Sequence, residues 1–469
     1  MSFTSTLFLF VFLPVALSFY YFSKDSFKEY LLFGFSLIFY SLGSTHFLVI
    51  FLGSITATVL IGRTMQAIEK SKIKTLLLVF GIVINTGILF YYKYSNFAIT
   101  TFSQLTGNEL EIRELLLPLG ISFYTFKAIS YLADVYTEKS VLGDEIIHDF
   151  LYLSIFSQIQ SGPITRYSNF KKLDCDFKDS FSNGAIRFML GFNKKVLIAN
   201  VLANITKEVF NTPVNDCSTG FLWLGSICYS LQLFFDFAGY SDMAIGLTEM
   251  FGYSCMENFK YPYMTESVSK FWRRWHISLS EWFRDYIYIP LGGSRNKHKI
   301  LVYFNLFVVW VLTGIWHGAA WNFIWWGLGY FVLISFERLT GLPERFSTIL
   351  GKVLYRIFTL LFINFQWVMF NSKDINTGLD FIKHMIVYQN NELANLRAIF
   401  LLKDYLFFIL IAIVFCFPVV PWVKNTLVEK EVASKTFDIL ENTIIFISFL
   451  WAISFIIAGQ NNPFAYANF

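Results

Sequence analysis

The sequence predicts an all-α protein that crosses a membrane many times, and three observations carry that reading. Hydrophobic residues make up 55% of the chain and charged residues only 15%, against about 25% charged in soluble domains. The mean hydropathy is +0.52, and the apolar residues gather into runs close to the roughly 20 residues that a helix needs to cross a hydrocarbon core of about 30 Å. No stretch of ordinary soluble composition is long enough to form a separate domain, so residues 1–469 are read as a single membrane domain.

Taken in order, the runs fall at 4–22, 30–44, 46–62, 75–95, 221–249, 301–316, 320–337, 353–371, 404–422 and 441–459, with weaker ones at 115–133, 149–165 and 183–206. The first has the apolarity of a signal peptide, but no positive charge precedes it, the first charged residue is Lys24 and no small-x-small site follows. It is expected to stay as the first span. No internal repeat of the kind that underlies many transporter folds is evident.

Loop charge sets the expected orientation. Arg63, Lys70, Lys72 and Lys74 face a single Glu69 in residues 63–74, which makes that loop cytoplasmic by the positive-inside rule. Counting back puts the N-terminus outside; counting forward puts Glu109, Glu111 and Glu114 outside. The basic loops 166–182, 294–300, 338–352 and 423–440 then lie inside, and the C-terminus outside. This parity requires one of the two runs between 115 and 165 to be re-entrant, and 250–300 to begin and end on the cytoplasmic side. Within 250–300, aromatics alternate with Arg273, Arg274, Arg284 and Asp285 over 271–285, the pattern of an amphipathic interfacial or re-entrant helix. The formal net charge of +4 is scattered between apolar segments, which fits loops near anionic lipid and excludes a nucleic-acid surface.

Candidate chemistry begins with the exclusions. Five cysteines (175, 217, 228, 255 and 416) form neither a CxxC pair nor a His/Cys cluster, so no metal site is expected. Of six histidines, His298 and His384 fall in loops, and His46 and His148 near helix ends. Only His276 and His317 are set among aromatics at membrane depth, where an ionisable side chain is costly and defaults to function. His317 lies in "LTGIWHGAAWNF" (312–323), after a run of only about 24 Å of helix. Gly318, Ala319 and Ala320 are read as leaving room beside the imidazole. A neutral imidazole there suits removal of a proton from an incoming hydroxyl. No carboxylate stands at helical spacing from it, so its orienting partner must come from another segment.

A second polar group lies in "YSLQLFFDFAGYSDMAIG" (229–246). Gln232, Asp236 and Tyr240 recur at i, i+4 and i+8 on one helix face, with Gly239, Asp242 and Gly246 on the next. These residues read either as the polar wall of a substrate tunnel or as an interhelical hydrogen-bond network around close glycine packing. Arg273 and Arg274 suit either the phosphates of a cytosolic donor or anchoring to lipid headgroups.

Six stretches then carry a resemblance: "LPLGISFYTFKAISYLADVY" (117–136), "SGPITRY" (161–167), "FFDFAGYSDMAIG" (234–246), "MENFKYPY" (256–263), "FWRRWHISLSEWFRDYIYIPLGG" (271–293) and "GIWHGAAWNFIWWG" (314–327). In this order, and over nearly the whole chain, they resemble the membrane-bound O-acyltransferase family. The branch they are most similar to includes the alginate, peptidoglycan and cellulose O-acetylation membrane proteins and the teichoic acid D-alanylation membrane protein. The resemblance implies a ring of about 11–13 transmembrane and re-entrant helices, a central tunnel, and a catalytic core over about 115–340. By similarity, His317 is the catalytic histidine and His276 the second histidine of the RRWHxS motif, orienting the acyl group or stabilising the oxyanion. Gln232, Asp236, Tyr240, Arg273, Arg274, Trp316 and Asn322 are the candidate tunnel residues. The tail "NPFAYANF" (462–469) is similar to the family's F-I-Y-F-x-F ending but departs at Ala465, Ala467 and Asn468; Tyr466 is a candidate acyl relay.

The function expected on this basis is transfer of an acetyl group from a cytosolic thioester, acetyl-CoA or another acyl thioester, to an extracytoplasmic hydroxyl of a glycan. No cofactor is held permanently, and an SGNH-type acyltransferase partner is expected outside. The setting implied is the bacterial cytoplasmic membrane. D-alanyl transfer to teichoic acid is the alternative within the fold; a flippase using Asp236 and His317 as a polar relay, or a scaffold, are the alternatives outside it.

Overall fold

A computed structural model describes residues 1–108, 110–174, 176–387, 393–427 and 431–459, the last of these by backbone alone at 431–433. Among these residues the regular structure is helical, apart from one isolated bridge between Lys172 and Tyr253. Among the described residues seven helical stretches are long and apolar enough to cross a membrane: Asp25–Ala67, Lys72–Thr106, Thr219–Met250, Lys299–His317, Ile349–Asn371, Leu396–Phe415 and Ser434–Ile457. Asp25–Ala67 contains two of the expected runs, divided where Ser44 turns extended (φ −162°) before the short turn Thr45–Phe47. Phe8–Phe22 and Ile146–Ile159 are shorter apolar helices. Trp321–Thr340 is long enough but less apolar, and it stops at Gly341, whose left-handed backbone (φ 58°) favours glycine. The all-α, multi-spanning architecture is therefore as the sequence predicts.

Three elements differ from expectation. The run expected at 404–422 is the helix Leu396–Phe415. Asn395 caps its start by accepting from the Ala398 N–H at 2.9 Å, and Pro418 prevents its continuation. The run expected at 149–165 breaks into Ile146–Ser154 and Phe156–Ile159. At 1.5 Å per residue these two cover about 21 Å, too short to cross. The single helix expected over 271–285 also breaks, for reasons that belong to the site below.

The chain packs into two compact units, Met1–Phe188 with Ser241–Glu257, and Met189–Tyr240 with Asn258–Phe469. In the first, Phe8, Phe12, Phe39 and Phe156 form an aromatic cluster with ring centroids 5.3–6.3 Å apart. Asn85 ties two helices together through Ser54 (2.9 Å) and Thr58 (3.0 Å), so these buried polar groups are paired as membrane depth demands. In the second unit, Trp272, Trp275, Trp310, Trp326, Tyr330 and Trp367 belong to one buried core.

The helix Thr219–Met250 has the lowest mean hydropathy of the seven stretches, 1.3, and the highest burial, 83%. Those two facts explain each other: protein shields its Gln, Asp and Tyr side chains from lipid. Gly246 and Gly184 permit a close helix crossing. A Cβ on Gly246 would stand 2.4 Å from the Gly184 carbonyl oxygen, and one on Gly184 would stand 2.5 Å from that of Gly246. Gly239 meets the Gly191 carbonyl in the same way at 2.7 Å. Gly246→Val is expected to cost about 1–3 kcal/mol by overpacking. Melting of the purified protein in detergent checks this, with Gly34→Ala, a position with open space around it, as the unaffected control.

Candidate active site

His317 is the last residue of the helix Lys299–His317, which turns back through Gly318–Ala320 into Trp321–Thr340. Glycines let the two helices touch. A Cβ on Gly314 would stand 2.5 Å from the Phe323 carbonyl oxygen, and one on Gly327 would stand 2.4 Å from that of Trp310. The hairpin is therefore tightly packed, and the end of its first helix is fixed in place. Gly318 does not leave room beside the imidazole, as the sequence suggests. The Phe323 ring fills that space, and a Cβ there would lie 2.1 Å from it. His317 itself is 2% exposed. Its ring stands 4.8 Å from Trp316, 4.8 Å from Trp326 and 5.2 Å from Phe370, close to perpendicular to the last two. Aromatic rings from other segments are among the groups that hold it.

His276 reaches the same cluster from a different direction. The short helix Val268–Phe271 ends, and a second helix, Ile277–Phe283, begins after it. Hydrogen bonds from elsewhere in the fold cap the start of the first and take up the helical groups of Arg274 and Ile277 between them. The Lys260 N–H donates to the Arg274 carbonyl and the Ile277 N–H to the Asn258 carbonyl, both at 2.9 Å. Glu337, buried on the hairpin's second helix, accepts from the Val268 N–H at 2.8 Å and the Ser269 N–H at 2.9 Å. His276 is left in the left-handed region (φ 44°), an uncommon state for a residue with a Cβ and one that marks functional sites. Its ring is fully buried, 4.7 Å from Phe237 and 5.8 Å from Trp316. One indole, that of Trp316, thus stands within ring-contact range of both imidazoles. Complete burial disfavours the charged form of this ring.

The remaining candidates fall into distinct places. Asp236 forms an ion pair with Lys195 at 2.6 Å, both side chains 3% exposed or less, and Lys195 also donates to Asn200 Oδ1 at 2.9 Å. Gln232 and Tyr240 are buried on the same helix, and Gln232 Oε1 has no hydrogen-bond partner among the described residues. Asn322 donates to the Ser372 carbonyl at 2.9 Å and so ties the hairpin to the end of Ile349–Asn371. Arg273 is exposed and lines a cavity of about 620 Å³ with Lys270, Arg338, Glu337 and Glu344. Arg274 is half-buried. Tyr466 lies outside the described residues. Sequence reasoning assigned no role to Lys195, Asn258 or Glu337; none shows a helical spacing to the groups it meets, and only the fold brings them together.

Comparisons with known proteins address the chemistry. The model of MBOAT, the membrane-bound O-acyltransferase family, matches residues 145–376, a stretch that includes His276 and His317. The chain is similar to the probable alginate O-acetylase AlgI of Pseudomonas putida, 39% identical over 411 residues that cover 85% of this chain and 82% of that protein. It is similar to the peptidoglycan O-acetyltransferase of Helicobacter pylori, 32% identical over 84% of this chain and 81% of that protein. The teichoic acid D-alanyltransferase of Bacillus subtilis is 32% identical over 54% of this chain and 69% of its own length. Similarity over most of both chains reaches the tryptophan-walled histidines as well as the spans around them, and the chain belongs to the membrane-bound O-acyltransferase family as an integral-membrane O-acyltransferase.

Proposed function

We propose that the protein moves an acetyl group from a cytosolic thioester, acetyl-CoA, to a hydroxyl on the outer side of the cytoplasmic membrane, as a step in O-acetylation of a cell-wall or exported glycan. The observation that carries this reading is the buried pair of imidazoles about Trp316, of which His317 ends an apolar helix long enough to cross a membrane. An aromatic, water-poor site protects a thioester from hydrolysis and strengthens every polar interaction made there. His317 is the general base that takes the proton of the attacking hydroxyl. Its carrier after attack is the imidazolium, which returns the proton to the departing thiolate; the acyl–oxygen bond forms as the acyl–sulfur bond breaks.

Acetyl is favoured over D-alanyl as the acyl group. The similarity to the alginate and peptidoglycan O-acetylases covers more than 80% of this chain, that to the D-alanyltransferase of Bacillus subtilis 54%. The positive charge of the loops supports a donor side in the cytosol and both termini outside. The acceptor on that side is a glycan hydroxyl, reached through an SGNH-type transferase partner, with Tyr466 as the candidate relay position on this chain. Purified protein given acetyl-labelled acetyl-CoA and, separately, a D-alanyl-loaded carrier protein tests the donor. Release of CoA from the first and no discharge of the second is expected; the reverse result overturns the acetyl assignment.

A further inference from the structure

The hydrogen bonds around Asn258 fix more than the position of His276. Asn258 Oδ1 receives the backbone N–H of Ser278 at 3.3 Å and the Ser278 hydroxyl at 2.9 Å. A backbone N–H only donates, so the atom it meets must be the amide oxygen, which settles the orientation of the Asn258 amide. The same oxygen lies 3.0 Å from His276 Nδ1. An amide oxygen only accepts, so Nδ1 must carry the hydrogen. In a neutral ring the hydrogen then cannot be on Nε2, and Nε2 is a bare acceptor. It is also buried and has no hydrogen-bond partner among the described residues. A buried acceptor left without a donor carries a desolvation cost that a substrate group can relieve.

We propose that Asn258 is a positioning residue that holds His276 as its Nδ1–H tautomer, so that Nε2 accepts a hydrogen bond from the donor thioester's amide arm and does not donate one to the oxyanion. The attacking hydroxyl has a single proton, and His317 takes it. The acceptor at His276 therefore needs another N–H, and a pantetheine thioester carries an amide N–H a few bonds from its sulfur. His276 thereby orients the donor, and the oxyanion role is left to other groups. This rests on the reading of the buried histidines as the reacting site.

Nitrogen-15 spectra of histidine-labelled full-length protein test it, the His276 ring being identified by its loss in His276→Gln. A protonated Nδ1 and an unprotonated Nε2 are expected, with the Nε2 resonance moving when CoA, which keeps the amide arm, is added. A protonated Nε2 in the wild type, or a resonance indifferent to saturating CoA, overturns the proposal. Asn258→Leu is expected to lose this tautomer and to slow CoA release from acetyl-CoA by roughly 10- to 100-fold, the range seen when a histidine's orienting partner is removed at metal sites. Asn258→Asp keeps an acceptor at Nδ1 and is expected to restore the tautomer and most of the rate at alkaline pH. An Asp variant no better than the Leu variant also overturns it. Should Asn258→Leu not fold, the wild-type spectrum and the Asp variant still decide. The spectrum reads the tautomer without turnover, so a failure here is distinct from full activity in His317→Ala, which would instead remove the proposed base.

Discussion

His317→Ala is expected to lower acyl transfer by about 10²–10⁴-fold, the range that a positioned general base contributes. The loss should fall on kcat, because the base acts on the proton only as the hydroxyl attacks. His317→Gln keeps a hydrogen-bonding side chain of similar size and should be as impaired, since an amide cannot take the proton. His298→Ala, in an exposed loop, is the control that should retain full rate. The ring contacts to Trp326 and Phe370 mean that the alanine variant also opens a cavity, so the melting temperature of each variant is measured beside its rate. A glutamine variant that is stable yet inactive separates chemistry from packing.

The second large effect is on stability. Lys195 and Asp236 form a salt bridge at 2.6 Å with both side chains almost completely buried. Removing one member leaves the other charge buried and uncompensated, which costs about 3–5 kcal/mol in comparable pairs. Lys195→Met and Asp236→Leu should therefore each lower the melting temperature sharply. The double variant should regain most of the loss, because an apolar pair of similar volume is often neutral. It also resolves the two readings of Asp236. If Asp236 only holds helices together, the double variant keeps its activity; if it lines the path of a polar substrate, the double variant is stable and slow.

How much of this was legible in the sequence depends on whether the deciding interaction is local. The spans were legible because apolar length and loop composition act within one segment, and Pro418 is an instance where local chemistry shifts a predicted end. His317 was legible because an ionisable residue between two apolar runs is conspicuous wherever the chain folds. The glycines at 239 and 246 were legible only as alternatives, and the close approach of Gly184 and Gly191 favours the packing reading for both. The segment 271–285 was not legible. Its pattern is that of an amphipathic helix, but the Lys260 N–H takes the Arg274 carbonyl, and Asn258 takes the N–H groups of Ile277 and Ser278, backbone groups that the helix would use. Lys195 carries no signal of its role in the sequence, because nothing local connects it to Asp236. Gly318 shows the same limit in reverse: the space it frees was visible, but not that Phe323 takes it.

The measurement closest to the central claim is transfer in sealed inverted membrane vesicles, where the cytoplasmic face is outward. Acetyl-labelled acetyl-CoA added to the medium should place label on glycan inside the lumen in wild-type vesicles. Vesicles carrying His317→Gln at equal protein level should show none above background, and right-side-out vesicles should show none until they are opened. Luminal labelling that persists at the wild-type rate in His317→Gln would contradict the account.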